Sequence, residues 1–197
     1  MSALVGLSRN QLKSIAAGSL KPGISLLDVG CGDGAWVQKL RGMGVLATGL
    51  DASSQQAPQD GIVLVPLAGN LPITVQSIDI AIIRGTELLA SETNSPETTI
   101  ALANLLSVLK PGGKLLVAAG ESGALWQSRL SPFHLVGQVR QFQMGLLSWL
   151  TLAPLLNPGG SVEILEFKLS ATPTSRLEWH RMAREAIMPP RRSPAAA

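Results

Sequence analysis

The stretch LLDVGCGDGAW, residues 26–36, joins a short aliphatic segment to a loop that has a glycine at every second position. Asp28 lies just before the loop, which contains Gly30, Gly32 and Gly34. Glycine adopts left-handed backbone conformations that other residues avoid, and it lets another molecule lie directly against the main chain. This pattern predicts a ligand site where the first strand of an α/β domain turns into its first helix.

Further aliphatic segments follow at the spacing of strands that alternate with helices. Short segments of this kind, bounded by glycine, proline or polar residues, are typical of buried parallel strands. The predicted strands are Leu26–Val29, Leu46–Leu50, Ile62–Val65, Ile78–Ile83 and Leu115–Ala119. Their alternation with helices predicts right-handed crossovers and a sheet covered on both faces, which is a doubly wound α/β domain.

One helix can be placed from the residues at its two ends. Ser95 stands where an N-cap belongs, and Pro96 occupies the first helical position. Lys110 and the turn at 111–113 are expected to end the helix before the fifth strand. Its apolar face is predicted to carry Leu102, Leu105, Leu106 and Leu109.

The composition suits a single folded domain in a reducing compartment. With 197 residues, of which 46% are apolar and 15% charged, the chain is expected to build one core. Cys31 is the only cysteine, so no internal disulfide can form, and with His134 and His180 as the only histidines we expect no Cys/His metal site. These features favour a cytoplasmic protein.

Charge and hydropathy also limit the partners. Through Ser170 the chain has eleven basic and eleven acidic residues, so the net charge of +3 arises in the C-terminal tail. A short basic tail and 4% aromatic residues do not favour nucleic-acid binding. No signal-peptide pattern occurs, and no run reaches the roughly 18 apolar residues of a spanning helix, so we expect neither secretion nor a membrane span.

Asp51 indicates what the glycine loop binds. It ends the second predicted strand about twenty residues after the loop, where a carboxylate can accept both hydroxyls of a ribose. The sequence therefore predicts a nucleoside ligand. A dinucleotide site would need the spacing G-x-G-x-x-G; here Gly34 comes one residue early and Ala35 takes the last place, which disfavours NAD but leaves it open.

Several motifs occur in the order and spacing of one enzyme family. They are DVGCGDG at 28–34, GLDAS at 49–53, GNLP at 69–72, SIDIAII at 77–83 and LLSVLKPGGKLLV at 105–117. Over residues 10–119 the chain resembles the class I methyltransferases that use S-adenosylmethionine, most closely the small type-11 group. The resemblance implies a mostly parallel seven-stranded sheet with helices on both faces, and S-adenosylmethionine as the cofactor.

The resemblance also implies roles for individual residues. Asp28 and the backbone of Gly30 and Cys31 are expected to hold the methionine part of the cofactor, in a loop that includes Gly32. Asp51 is expected to bind the ribose hydroxyls, with Ala52 near the adenine. Arg84 is either a contact of the cofactor carboxylate or a solvated loop charge.

The sequence departs from the family at the adenine. Relatives often have an acidic residue five positions before the proline of the GNLP loop, and this chain has Leu67 there. We therefore expect the backbone of Ala68 and apolar contact from Leu71 to hold the adenine. Loss of one hydrogen bond to a neutral group costs only about 1 kcal/mol, so binding need not be lost.

No catalytic base can be assigned from the sequence. A sulfonium methyl is already activated, so positioning does most of the catalysis. Glu87 is a candidate base for a hydroxyl or amine acceptor, but a surface carboxylate explains it equally simply. His134 follows the fifth strand and is the second candidate, whereas a structural role is the simpler explanation for both histidines.

Residues 121–160 follow the fifth strand. The segment beginning SPFHLVGQVRQFQ shows an interrupted helical pattern, and Met144–Leu156 is strongly apolar. One interpretation is that Phe133–Leu156 packs on the sheet and forms a lid over an apolar acceptor; the alternative is peripheral contact with lipid. Thirteen residues interrupted by Pro154 are too few for a membrane span.

The C-terminal part of the chain, from residue 161 on, completes the expected domain. SVEILEFKLSA, at 161–171, alternates as a strand, whereas RLEWHRMARE, at 176–185, suits either a strand or a terminal helix. We expect one domain over 1–188, with a core at 10–119 and an acceptor and late-strand region at 120–188, followed by a disordered tail at 189–197.

The predicted function is methyl transfer from S-adenosylmethionine to a small, partly apolar acceptor. One alternative is a protein that keeps the fold and binds ligand without turnover. Another is a transferase such as an aminopropyl transferase, although the acidic acceptor pocket expected of that group is not evident. The oligomeric state is not predicted.

Overall fold

The computed structural model describes residues 20–52, 60–83, 95–118, 123–143, 161–172 and 174–188. They contain seven strands: β1 (Ser25–Val29), β2 (Leu46–Asp51), β3 (Ile62–Leu64), β4 (Ile78–Ile83), β5 (Leu109–Ala118), β6 (Gly137–Gln143) and β7 (Ser161–Lys168). The helices are α1 (Ala35–Arg41), α2 (Pro96–Val108), α3 (Gly123–Leu130) and α4 (Arg176–Ile187), and a 3-10 turn covers Ser131–Phe133.

The strands form one sheet in the order β3-β2-β1-β4-β5-β7-β6. β1 pairs in parallel with β2 and β4, and the pairs β2–β3 and β4–β5 are also parallel. β7 runs antiparallel to both of its neighbours, β5 and β6. This confirms the predicted mostly parallel seven-stranded sheet. The strand order reverses between β1 and β4, and ligands of such sheets bind beyond the carboxyl ends of the strands at that point.

Helices cover both faces of the sheet, as predicted. Alternate residues of β1 face opposite sides, so Leu27 and Val29 belong to a larger core cluster and Leu26 to a smaller one. The larger cluster includes the buried side chains of α2 and Trp179 of α4, and the smaller one includes those of α1. The buried sheet thereby holds the carboxyl end of β1 rigidly.

The helix α2 begins as predicted and ends earlier. Ser95 is its N-cap, with the side-chain oxygen accepting the N–H of Thr98 at 3.1 Å. The helix ends at Val108, two residues before Lys110, because Leu109 already pairs with Ile78 of β4. β5 therefore starts at Leu109 rather than Leu115, and an irregularity in its pairing accommodates the proline–glycine turn.

The helical pattern predicted from Ser131 onward is wrong for most of its length. After the short 3-10 turn, residues Gly137–Gln143 form the edge strand β6. Gln127 of α3 binds the start of that strand, donating to Gly137 O at 2.9 Å and accepting the Gly137 N–H at 3.1 Å. Pairing with β7 decides the conformation, which local periodicity does not reveal.

The structure shows the conformation of the two C-terminal segments, 161–171 and 176–185. SVEILEFKLSA forms β7, as predicted, and RLEWHRMARE is helical, as α4. Ser175 caps α4 by accepting the Glu178 N–H at 3.2 Å. Trp179 packs edge-on against Phe133, with ring centroids 6.1 Å apart, which fixes α4 on the larger core.

β6 and β7 form a hairpin arm that extends past the end of β5. The last residue of β5, Ala118, pairs with Ile164, whereas the β6–β7 ladder continues to the pair Gln143 and Ser161. Three residues of strand correspond to about 10 Å, so the arm continues by that distance past the Ala118–Ile164 pair, in the direction of the carboxyl ends of the parallel strands. The predicted lid was Phe133–Leu156. Its first residue, Phe133, is buried in the larger core and Gly137–Gln143 form β6, whereas the apolar run Met144–Leu156 lies outside the described residues. No helix within the described ranges is long and apolar enough to cross a membrane.

Candidate cofactor site

Asp28 lies at the carboxyl end of β1, where the strand order reverses. Its neighbours in the sheet are Gly49 of β2 and Ile82 of β4. The side chain is 0% exposed, although carboxylates are rarely buried so completely. The structure thus places a buried carboxylate under the loop that the sequence predicted for the cofactor.

The loop after β1 requires its glycines. Gly30, Gly32 and Gly34 have φ angles of 78°, 58° and 70°, all in the left-handed region where a side chain is strained. The N–H groups of Gly30 and Cys31 donate to Leu50 O at 2.8 and 3.4 Å. These bonds hold the loop against the end of β2, which brings the backbone close to Asp51.

Asp51, the last residue of β2, lies beside the glycine loop. The N–H of Gly32 donates to Asp51 Oδ2 at 2.8 Å. A Cβ atom added to Gly32 would meet no atom within 4 Å, so the space beside this glycine is open. A carboxylate beside an open glycine loop, at the switch point of the sheet, fits a nucleoside cofactor.

The Cys31 thiol is turned away from this open volume. Cys31 is 4% exposed and belongs to the smaller core cluster. A Cβ atom added to Gly49 would lie 2.7 Å from its sulfur, so the thiol fills the space beneath β2. Only the backbone of Cys31 is therefore suited to contact a ligand in the loop.

The turn Pro66–Gly69 follows β3 and lies next to Asp51. The Val65 N–H donates to Asp51 O at 3.2 Å, and the Gly69 N–H donates to Pro66 O at 2.9 Å. Leu67 and Leu71 are 3% and 4% exposed and pack in the larger core. Leu67 therefore fills core volume, and the assignment of Leu71 to the adenine stays a prediction.

Asn104 is a residue of this region that the sequence reasoning missed. Its side-chain nitrogen donates to Leu67 O at 3.0 Å and to Gly69 O at 2.8 Å, from a position on α2 that is 3% exposed. The available signal was a single amide within the apolar helical segment IALANLLSVL, at 100–109. A buried amide in such a segment is expected to have a specific partner.

The remaining candidates lie elsewhere or outside the described residues. Ala52 directly follows Asp51, whereas Arg84 and Glu87 fall outside the described ranges. His134 is exposed and lies three residues before the amino end of β6. Because β6 runs in the same direction as β5, that end lies at the edge of the sheet opposite the glycine loop. His180 is on α4, where burial and the charges of Arg176 and Arg184 lower its pKa. The structure does not bring either histidine to the loop.

Within the described ranges, no group of three histidine, cysteine or acidic side chains could hold a metal ion.

The sequence profile of the methyltransferase-domain family matches residues 10–142, more than half of the chain. The protein therefore belongs to the class I S-adenosylmethionine-dependent methyltransferases, as predicted, and S-adenosylmethionine is its cofactor. No match was found among curated proteins.

Solved structures share the fold at low sequence identity. A methyltransferase from Methanosarcina mazei aligns with a TM-score of 0.56 at 14% identity, over 80% of this chain and 98% of that chain. The 1,6-didemethyltoxoflavin-N1-methyltransferase of Burkholderia thailandensis, solved with bound 1,6-didemethyltoxoflavin and S-adenosylhomocysteine, aligns with a TM-score of 0.55 at 14% identity, over 80% of this chain and 76% of that chain. The cyclase SpnF aligns at 0.57 and 18% identity, over 83% and 81%. These likenesses support the fold alone.

Proposed function

We propose that this methyltransferase binds S-adenosylmethionine across the carboxyl ends of β1 and β2 and methylates a small, partly apolar acceptor. The observation that carries the proposal is the bond from the Gly32 N–H to Asp51 Oδ2, at 2.8 Å. It joins the glycine loop to the acidic end of β2, and the space beside Gly32 is open.

Each part of the site has a role in this proposal. Asp28, the buried carboxylate, favours the cationic methionine end of the ligand, and the main chain of Gly30 and Cys31 lies against that end. The Asp51 carboxylate accepts hydrogen bonds from the ribose hydroxyls, and these bonds are strengthened by its charge. The base is proposed to lie near Ala52, which directly follows Asp51, and near the Ala68 peptide in the turn after β3.

These residues act by positioning. Bound there, S-adenosylmethionine supplies a sulfonium methyl group that is already activated toward displacement. The rigid loop and the two carboxylates orient the methyl donor, so that an acceptor can approach in line. Excess stabilisation of the sulfonium charge would slow transfer, because that charge disappears in the reaction. Arg84 and Glu87 remain candidates for contacting the cofactor carboxylate and the acceptor.

The position of the hairpin arm supports an acceptor site beside the cofactor. The arm continues about 10 Å past the Ala118–Ile164 pair, toward the side of the sheet that carries Asp28 and the glycine loop. The sequence that connects its two ends, Gln143 and Ser161, includes the apolar run Met144–Leu156. Both attachment points of this apolar segment are therefore at the cofactor edge, which favours an acceptor with apolar surface.

Calorimetry with S-adenosylmethionine and S-adenosylhomocysteine tests the cofactor site without knowledge of the acceptor. We expect both to bind with one ligand per chain. Binding should be followed by a screen for release of S-adenosylhomocysteine with matched sets of apolar and polar hydroxyl, amine and thiol compounds. Turnover confined to polar acceptors would contradict the proposed acceptor class, and failure of both cofactors to bind would remove the site itself.

A further inference from the structure

Asn104 is a buried polar residue whose placement packing does not explain. It is 3% exposed on α2, between apolar side chains of the larger core. Its side-chain oxygen has no hydrogen-bond partner among the described residues. A buried acceptor without a partner costs about 1–3 kcal/mol, so a leucine of similar volume would suit packing better. The role of Asn104 must lie in the two bonds that its nitrogen donates.

Those two bonds determine which carbonyls of the turn Pro66–Gly69 are occupied. Asn104 Nδ2 lies 3.0 Å from Leu67 O and 2.8 Å from Gly69 O. Pro66 O accepts the Gly69 N–H at 2.9 Å. Among hydrogen bonds made by the described residues, Ala68 O is the one carbonyl of this turn without a donor.

The turn is also well placed to meet the base of a nucleoside. The Val65 N–H is bound to Asp51 O at 3.2 Å, so the turn begins one residue beyond the carboxylate proposed to hold the ribose. Adenine presents an amino donor next to a ring-nitrogen acceptor. A peptide group with an unoccupied carbonyl can accept a hydrogen bond from that amino group.

We propose that Asn104 is a positioning residue for adenine recognition. By holding the carbonyls of Leu67 and Gly69 against α2, it leaves Ala68 O as the acceptor for the adenine amino group. A backbone carbonyl thus accepts the hydrogen bond that an acidic side chain at position 67 would accept in related proteins, where this chain has Leu67. This inference rests on the proposed cofactor site.

The inference predicts discrimination between two ligands that differ at one group. The 6-deamino analogue of S-adenosylhomocysteine has hydrogen in place of the amino group and keeps the ring nitrogen as an acceptor, so it presents no donor to Ala68 O. The wild-type protein should bind S-adenosylhomocysteine about tenfold more tightly than the 6-deamino analogue, since one hydrogen bond is lost and Ala68 O is left without a donor. Equal affinity of the wild-type protein for the two ligands would overturn the inference, whatever the variants do.

Asn104→Ala provides the second test, with Ser107→Ala as the matched control. Ser107 is also 3% exposed on α2, and its hydroxyl donates to Asn104 O at 2.7 Å, so both variants lose buried hydrogen bonds of the same helix. Calorimetry should show about tenfold weaker binding of S-adenosylhomocysteine to Asn104→Ala, with nearly unchanged binding of the 6-deamino analogue. Ser107→Ala should retain the discrimination.

The outcomes separate the inference from the cofactor site on which it rests. If the wild-type protein binds neither ligand, the proposed cofactor site fails and the inference fails with it. If it binds and discriminates but folded Asn104→Ala discriminates equally, the site stands and the role of Asn104 is refuted. Equal weakening of both ligands in Asn104→Ala would also refute it, because a purely structural role predicts that result.

Discussion

The main-chain N–H of Gly32 lies 2.8 Å from Asp51 Oδ2 and donates a hydrogen bond to it. The residue proposed to bind the ribose therefore also braces the cofactor loop. One carboxylate serves two purposes, so its substitution should affect the apo-protein as well as the ligand complex. From the sequence alone, substitution of Asp51 would be expected to change ligand affinity only; the structure adds an effect on the stability of the apo-protein.

Asp51→Ala should weaken S-adenosylhomocysteine binding by roughly 2–3 kcal/mol, the range for hydrogen bonds to a charged group. It should also lower apo stability by up to about 1 kcal/mol, because Gly32 loses its acceptor. Asp51→Asn keeps an acceptor for Gly32, so it should restore stability while leaving affinity impaired. Calorimetry and thermal unfolding measure the two effects.

Asp60→Ala is the control for Asp51, since its side chain is 98% exposed at the amino end of β3. Its affinity for S-adenosylhomocysteine should equal that of the wild type. Unchanged affinity in Asp51→Ala would exclude Asp51 from the site.

Gly32→Ala and Gly112→Ala form a pair with the same backbone strain. Their φ angles are 58° and 73°, and a Cβ atom at either position meets nothing within 4 Å. Each substitution should cost about 1 kcal/mol of stability, the price of placing alanine in the left-handed region. Only Gly32→Ala should weaken S-adenosylhomocysteine binding, by tenfold or more as a rough estimate, because its methyl group enters the proposed ligand volume.

Gly112 makes this comparison informative because it lies in the turn at the start of β5, remote from the glycine loop. Binding that is equally strong in the two variants would show that Gly32 serves only the turn.

The contacts of Asp79, near the amino end of β4, predict that the protein loses stability in acid. This residue lies at the edge of the sheet opposite the cofactor site. Its carboxylate accepts the Ser25 N–H at 2.9 Å and binds Lys110 Nζ at 2.8 Å. Burial acts to raise its pKa, but the hydrogen bonds from Lys110 and Ser25 and the charge of Lys110 outweigh burial and hold the pKa below the usual 3.8.

The depressed pKa fixes the direction of the pH effect. The stabilisation is fully present above pH 3.8, the ordinary value, and is lost as the pH falls through the lower folded-state pKa. Asp79→Asn should lose up to about 1 kcal/mol at neutral pH, since the pair is partly exposed. Urea unfolding should show a smaller acid-induced loss in this variant, with unchanged S-adenosylhomocysteine affinity. An identical acid dependence in the two proteins would contradict the role of Asp79.

Gly137 is predicted to be essential for attaching the hairpin arm. A Cβ atom there would lie 2.6 Å from the ring of Phe167, which is fully buried, and 2.8 Å from Gln127 Nε2. Gly137→Ala should therefore destabilise the protein by about 1–3 kcal/mol through overpacking. Amide exchange in β6 should accelerate more than exchange in β1.

Gly123→Ala is the control for this overpacking, because the nearest atom to its added Cβ is 4.0 Å away. It should unfold at the same urea concentration as the wild type. Equal stability of the Gly123 and Gly137 variants would mean that the Phe167 ring moves aside without cost.

The features that could be predicted from the sequence are those that depend on interactions among residues close together in the chain. The glycines at 30, 32 and 34, the cap at Ser95 and the aliphatic strands have local causes in backbone sterics, capping and burial. The order of these signals was sufficient for the doubly wound sheet and for the family. The acidic end of β2 was also readable, and Asp51 indeed lies against the glycine loop.

The tertiary structure decided the relationships between residues that are distant in the chain. Residues 137–143 became a strand rather than a helix because β7 offers an edge with which they pair, and that partner lies beyond any local window. Asn104 reads as one polar residue in an apolar helix until the fold brings it to Leu67, 37 positions away. A hydrogen bond depends on distance and direction in space, so the structure was needed to show which carbonyls Asn104 occupies.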